Sequence, residues 1–190
     1  SIGFASPSIA GSSDFSGIWI AGHAEMNVVA IDGTHRENNT NSNGGKVSSG
    51  TIGGYAPTAG YEIGFNLPLG PVFFVTVGYA DGGGKSADIA RADDSVDAAD
   101  VVITAKNPEW WYIAPSISIF DNSAVYFKFG QADADLSATG DVTGAPNNIS
   151  GDMWGIGTTS IADSGLFFKT EAGAIQYDQF KITGIGGKSN

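Results

Sequence analysis

The most constraining feature of this sequence is a long stretch of strict alternation near its start, residues 18–31, IWIAGHAEMNVVAI. Its even positions carry no polar side chain, whereas its odd positions include His23, Glu25 and Asn27. A period of two predicts a β-strand, because successive side chains point to opposite faces of the pleat. Strands of soluble proteins have about 5–6 residues, and a tilted strand that crosses a bilayer needs about 9–11. The stretch therefore predicts a membrane-crossing strand with one apolar face.

The same alternation recurs along the chain and predicts seven strands in all. Asn107 and Pro108 interrupt the fourth of them, and because proline cannot donate to a sheet ladder, a bulge or the membrane border is expected there. On most strands one face is apolar and is predicted to point outward. On the sixth strand both face assignments stay open, with Trp154 and Ile156 favoured as outward. The predicted strands cover residues 18–31, 56–67, 72–80, 101–120, 124–136, 152–161 and 166–183.

The connections between these strands alternate in length. Long segments at residues 32–55, 81–100 and 137–150 are rich in glycine and polar residues, and we expect them to be flexible loops. Short turns at residues 68–71, 121–123 and 162–165 separate them. Tight turns at one end and extended loops at the other are typical of outer-membrane barrels, whereas a soluble sandwich has turns of scattered length at both ends.

Over residues 15–184 this pattern resembles the small OmpA/OmpX-type eight-stranded outer-membrane β-barrel family. The resemblance implies an all-β fold, an antiparallel up-and-down transmembrane β-barrel in one domain over residues 1–190, located in the bacterial cell outer membrane. Eight strands are expected and seven are visible. Either a final strand follows Asn190, or the leader segment 1–14 contributes a short strand. We expect the first, because unpaired backbone groups cost several kcal/mol each in lipid.

Composition narrows the alternatives. The 28 glycines, 11% aromatic residues and 15% charged residues are typical of a turn-rich β protein. The sequence has no apolar run of the length that a membrane helix needs, about 18 residues. A net charge of −11 argues against nucleic acid as a partner, because phosphate binding needs a basic face. With no cysteine, disulfides are excluded.

Ionisable residues lie on the inward faces of several strands and are predicted to form a polar network in the lumen. Buried charges persist only when they are paired and hydrogen-bonded, and an eight-stranded interior is just wide enough for side chains to fill it. The favoured interpretation is a structural plug, and the alternative is a narrow pore. The six residues of the predicted network are His23, Glu25, Glu62, Lys128, Lys169 and Glu171.

Aromatic residues near the strand ends are expected to form the girdles at the two membrane borders. The alternative is that they cap the core of a soluble sandwich. The aromatic residues concerned are Trp19, Tyr61, Tyr79, Trp110, Trp111, Trp154 and Tyr177.

A catalytic role for the network is not favoured. His23 and Glu25 could act as a base and its orienting group in a lipid-hydrolysing barrel, but they are side by side on one strand, about 7 Å apart. The sequence also lacks a GxSxG nucleophile motif. We therefore expect no catalytic residue, no metal ligand and no cofactor, and we do not expect an enzyme.

The predicted function is structural. The chain is expected to anchor in the envelope, to contact membrane lipid, and to display long surface loops through which it could bind surface partners. The principal alternative is a secreted or surface-assembled β-sandwich, such as an adhesin or filament subunit. A barrel enzyme acting on lipid is a third hypothesis.

Overall fold

A computed structural model describes most of the chain, namely residues 2–5, 15–36, 47–83, 87–92, 101–120, 122–140, 142–181 and 183–184. Among these residues, no helix has both the length and the apolar character to cross a bilayer. The strands are β1 (Ile2–Ala5), β2 (Gly17–Arg36), β3 (Val47–Pro68), β4 (Phe73–Asp81), β5 (Ala87–Ala92), β6 (Val101–Phe120), β7 (Ser123–Gly140), β8 (Val142–Thr143), β9 (Asn148–Ile161), β10 (Leu166–Tyr177) and β11 (Thr183–Gly184).

Seven of these strands form one antiparallel up-and-down sheet, in the order β2, β3, β4, β6, β7, β9, β10. The sheet curls strongly into an open half-barrel. This confirms the predicted all-β, up-and-down architecture with seven long strands. We call the end that carries the short connections at residues 69–72, 121–122 and 162–165 the turn end, and the opposite end the loop end.

Side-chain alternation in the sheet follows the sequence pattern. On β6, Tyr112 and Ser116 are buried inside the curl, whereas Ile113 and Ile117 are exposed on its outer surface. Strand β9 alternates strictly between exposed and buried residues along almost its whole length. The predicted inward and outward faces are therefore confirmed on most strands, with the apolar face on the outside. On β10 burial does not separate the two faces, because the predicted inward residue Glu171 is exposed as well.

The predicted irregularity in β6 is also confirmed. The register between β6 and β7 shifts between Lys106 and Glu109, which is a bulge around Asn107 and Pro108. Asn107 has a φ of 48°, in the left-handed region that asparagine tolerates better than most residues. Its side-chain amide donates a hydrogen bond to Asp135 Oδ2 at 2.6 Å, which ties the bulge to β7.

The strands are longer than predicted at the loop end. Strands β2 and β3 stay paired as far as Arg36 opposite Val47, so much of the loop predicted at residues 32–55 is strand. The loops predicted at 81–100 and 137–150 likewise contain β5 and the ends of β7 and β9. An antiparallel ladder consists of backbone hydrogen bonds and continues through polar and glycine-rich residues. In the opposite direction, β10 ends at Tyr177 and not at residue 183.

The first strand lies between the two edges of the seven-stranded sheet. β1 pairs antiparallel with residues 19–22 of β2 and with residues 166–168 of β10, near the turn end. This pairing matches the alternative in which the leader segment contributes a short strand. Whether a further strand follows Asn190 stays a prediction.

Large interior rings pack on glycines of the neighbouring strand. Trp19 on β2 lies opposite Gly64 on β3, where a Cβ would come within 2.4 Å of the indole. Tyr112 on β6 lies opposite Gly78 on β4, where a Cβ would come within 2.3 Å of the ring. Because glycine has no Cβ, both rings can lie flat against the sheet wall. These two contacts fix the rings that surround the polar interior.

Candidate functional site: the interior polar network

Two ion pairs cross the interior of the curled sheet. Lys169 Nζ lies 2.9 Å from Glu62 Oε1, joining β10 to β3, and Lys128 Nζ lies 2.9 Å from Glu171 Oε1, joining β7 to β10. The side chains of Glu62 and Lys169 are only 5% and 10% exposed. Four of the six predicted network residues are therefore brought together as two complementary pairs. We call these four residues the ion-pair network.

Two tyrosines complete the coordination of the carboxylates. The hydroxyl of Tyr112 donates to Glu62 Oε1 at 2.5 Å, and the hydroxyl of Tyr126 donates to Glu171 Oε2 at 2.9 Å. Each carboxylate thus accepts hydrogen bonds from one ammonium and one phenol. Such bonds offset much of the cost of holding charges away from water.

Aromatic rings surround the two ammonium groups. Lys169 Nζ lies 4.6 Å from the centre of the Trp19 ring, and Lys128 Nζ lies 4.3 Å from that of Tyr112. The electron-rich face of an aromatic ring attracts a cation, most strongly where water is excluded. The rings therefore contact both ammonium groups and fill the space around them.

The remaining two residues of the predicted network are His23 and Glu25, which the structure describes to different extents. His23 is buried, as predicted, and its ring lies 5.4 Å from that of Trp110. Neither of its ring nitrogens has a hydrogen-bond partner among the residues that the structure describes. The backbone of Glu25 is part of β2, but its side chain lies outside the described residues, so its place in the network stays a prediction.

A second polar cluster lies nearer the turn end and was not predicted. The Asn66 side-chain oxygen accepts hydrogen bonds from Trp19 Nε1 at 3.0 Å and from Thr76 Oγ1 at 2.7 Å. The Asn66 amide donates to the backbone oxygen of Phe15 at 2.5 Å, and the Phe15 ring stacks on that of Phe74. This cluster closes the interior below the ion-pair network.

Little space is left between the two clusters. A cavity of about 30 Å³ lies there, lined among others by Trp19, Asn66, Tyr126 and Lys169. That is room for about one or two water molecules.

The girdle prediction is wrong for two of its members. Trp19 and Trp110 are each only 4% exposed and belong to the interior. The alternation of side chains along each strand could have placed them there. Trp19 lies an even number of residues from the inward-facing His23, and Trp110 lies an even number from the inward-facing Tyr112. Tyr61, Tyr79 and Trp111 do lie on the outer surface as a contiguous group, with ring centres 6.4 Å and 4.7 Å apart.

The outer surface carries a band of exposed large apolar side chains, which we call the apolar belt. Its members come from all seven long strands of the sheet. It contains Ile18, Ile20, Ile63, Phe65, Leu67, Phe73, Val77, Ile113, Ile117, Ile119, Phe127, Phe129, Trp154, Ile156 and Phe168.

The interior supports electrostatic attraction between oppositely charged side chains, which holds the strands together. Each charged group in the ion-pair network is neutralised by its partner. Within the described residues, no group of three or more histidine, cysteine, aspartate or glutamate side chains could hold a metal ion. Comparison of the chain with protein-family models, with curated proteins and with solved structures found no match.

Proposed function

We propose that this chain is a β-barrel protein of the bacterial outer membrane, similar in architecture to the small OmpA/OmpX-type barrels. Its role is structural. It anchors in the envelope through the apolar belt, and it displays the connections of the loop end on the cell surface, where they are available to partners. It needs no cofactor and catalyses no reaction.

The polarity of the molecule is the observation that carries this proposal. Ionised side chains such as Glu62 and Lys128 are buried, whereas Phe65, Ile113 and Phe129 are exposed to the surroundings. Water-soluble monomers rarely expose an apolar patch larger than a few hundred Å². In a bilayer the same surface is favourable, because strands that cross it alternate between an apolar outer and a polar inner face.

In the membrane, we propose, the sheet closes as an eight-stranded barrel. β1 is the eighth strand, since it pairs with both edge strands, β2 and β10, at the turn end. Lipid offers no hydrogen bonds to backbone groups, so a spanning sheet is stable only when its edges are paired. The pairing of β1 supports this closure.

The lumen is plugged, we propose, by the ion-pair network and by the cluster around Asn66. Both ion pairs join strands that are not neighbours in the sheet, so they brace the wall across the interior. The cavity of about 30 Å³ between the two clusters is too small for a solute larger than water. Transport is at most narrow and secondary.

The two alternative functions are less well supported. A β-sandwich adhesin or filament subunit buries its apolar faces between two sheets, whereas here Ile63, Phe65 and Ile113 are exposed on the outside of one curled sheet. A lipid-acting enzyme would need a nucleophile beside His23. That ring lies instead against Trp110, and its two nitrogens contact no hydroxyl among the described residues.

The test is refolding from urea with and without lipid vesicles, followed by flotation. We expect the chain to float with the vesicles, to resist extraction by high salt and alkali, and to leave a small entrapped dye inside. A folded monomer in plain buffer that does not float would contradict membrane residence. Rapid release of the dye by protein that floats would contradict the plugged lumen but not membrane residence.

A further inference from the structure

His23 is a buried titratable group that takes no part in the ion-pair network. It lies on the inward face of β2 and is only 7% exposed. Neither of its ring nitrogens is hydrogen-bonded to a residue that the structure describes. A buried polar atom without a partner costs about 1–3 kcal/mol. The neutral ring has one N–H donor and the protonated ring has two, so protonation raises this cost unless an acceptor moves towards the ring.

A carboxylate of the neighbouring strand lies diagonally across from His23. The register places His23 directly opposite Gly60 on β3, whereas Glu62, two residues further along β3, lies opposite Ala21. The side chains of His23 and Glu62 are both buried. Diagonal neighbours on one face of a sheet are about 7–8 Å apart, which is within reach of a long side chain. Glu62 can therefore approach the imidazole by rotation of its own side chain.

The other charged groups that act on His23 are positive. Lys128 of β7 and Lys169 of β10 are two of them, and the amino terminus is the third. Lys128 also lies beside the indole against which His23 packs. Its Nζ is 6.0 Å from the ring centre of Trp110, and the imidazole is 5.4 Å from that indole. Lys128 would repel a second cation at this indole, so a protonated imidazole is attracted towards Glu62.

We propose that His23 is an acid-sensitive switch that acts on the plug. With the imidazole neutral, Glu62 accepts hydrogen bonds from Lys169 and Tyr112, and the plug is closed. With the imidazole protonated, the Glu62 carboxylate turns towards it, and the ion pair that joins β3 to β10 is broken. Imidazole is the side chain whose charge ordinarily changes between about pH 5 and pH 8. The switch rests on the proposed function, because it presupposes a closed and plugged barrel.

The two donors to Glu62 lie where the interior is narrow. Lys169 and Tyr112 both line the cavity of about 30 Å³ next to the cluster around Asn66. When Glu62 turns away, both donors lose this acceptor and can rotate out of the cavity. The passage at this level then widens, and we expect small ions to cross it.

The first test is the conductance of planar lipid bilayers that contain the protein, measured in potassium chloride at about pH 7.5 and about pH 5. A proton that binds about tenfold more tightly to the open form shifts the equilibrium about tenfold, so we expect a rise of about that size in acid. His23→Gln keeps a polar side chain that cannot be protonated, and its conductance should stay low at both pH values. His35→Gln removes the only other histidine and is the matched control, which should keep the full response.

Three outcomes would overturn the switch. One is an equal rise in the unmodified chain and in His23→Gln, which would assign the acid response to other groups. Another is loss of the response in Glu25→Gln, because the acceptor would then be Glu25 and not Glu62. The third is protein that floats with vesicles at both pH values but never conducts, which leaves membrane residence and the plug intact. Protein that does not float would contradict the proposed function itself.

The second test needs neither conductance nor a folded His23 variant. The His35→Gln chain in detergent micelles has a single imidazole, whose protonation can be followed by NMR spectroscopy. We expect the side-chain resonances of Glu62 and Lys169 to change with the same midpoint as the His23 ring, and those of the outward-facing Ile113 to stay unchanged. An imidazole that is protonated without any change at Glu62 and Lys169 would overturn the switch. So would an imidazole that stays neutral down to about pH 5.

Discussion

At the scale of single residues, the alternation of side chains along each strand decides which residues meet in the interior. Glu62 and Lys169 are 107 positions apart in the sequence, yet each has the inward parity of its strand, and the curl of the sheet brings them within 2.9 Å. The same parity places Tyr112 beside them as a hydrogen-bond donor. The interior charges are therefore mutually dependent, and the removal of one leaves another without its partner.

The first prediction concerns this dependence. Glu62→Gln leaves the ammonium of Lys169 buried without its counter-charge, and we expect it to lower the free energy of unfolding by about 3–5 kcal/mol. The matched control is Glu109→Gln, because Glu109 also accepts a tyrosine hydrogen bond, from Tyr79 at 2.7 Å, but is exposed. Urea unfolding in micelles, followed by tryptophan fluorescence, measures both variants.

A compensating variant sharpens this test. Lys169→Met in the Glu62→Gln background removes the orphaned charge, and we expect it to restore most of the lost stability. Equal losses for Glu62→Gln and Glu109→Gln, or no recovery in the double variant, would show that the pair is not a buried, coupled unit.

The second prediction concerns the glycine beneath Tyr112. Gly78→Ala would place a methyl group 2.3 Å from the ring, so the ring must move and its hydrogen bond to Glu62 is lost. We expect a loss of about 1–3 kcal/mol in the free energy of unfolding. Gly22→Ala is the control, since its nearest neighbour, the oxygen of Gly60, is 4.0 Å away. Comparable losses in the two variants would contradict the close packing.

At the scale of elements, the sequence predicted which face of a strand points outward better than it predicted the length of the strand. Alternation placed Ile113 outside and Tyr112 inside, because burial selects residue type at every second position. The same rule, applied to Trp19 and Trp110, would have placed them inside, but their residue type pointed to a membrane border. The extension of β2 to Arg36 had no such signal, because the backbone ladder does not depend on apolar side chains.

The partners within the interior could not be predicted either. Which lysine meets which carboxylate depends on the curl and stagger of the sheet, and neither is visible in local periodicity. The sequence therefore predicted that Glu62, Lys128, Lys169 and Glu171 share the interior, and the geometry assigns them to pairs.

The third prediction concerns β1. Removing residues 1–5 leaves residues 19–22 and 166–168 without their second partner strand. We expect faster amide exchange at those two segments and a lower midpoint of thermal unfolding, because edge hydrogen bonds open more readily. Exchange in β7, which pairs with β6 and β9, is the internal control. Unchanged exchange at both segments would show that β1 does not hold the edges together.

At the scale of the whole molecule, the apolar belt and the charged interior form one inverted distribution of polarity. The belt is exposed on the outer surface, whereas Glu62 and Lys128 of the ion-pair network are buried on the inner face. This distribution makes the cost of an outward charge depend on the surroundings of the protein, and that dependence is measurable.

The fourth prediction uses this dependence. Ile113 lies in the middle of the belt. We expect the variant Ile113→Arg to destabilise the protein by about 2–4 kcal/mol in lipid vesicles. Asp152→Arg, at an exposed position of β9 nearer the loop end, should cost much less. Reversible unfolding in vesicles measures both. An equal cost at the two positions would place the belt outside the hydrocarbon layer.

The most direct test of the central claim is a spin-label scan along β6, with single cysteines introduced from residue 111 to residue 119 in the chain reconstituted into vesicles. We predict that accessibility to oxygen alternates with a period of two and peaks at Trp111, Ile113, Ile117 and Ile119, whereas accessibility to a water-soluble nickel chelate stays low there. High accessibility of those same positions to the nickel chelate would contradict the account.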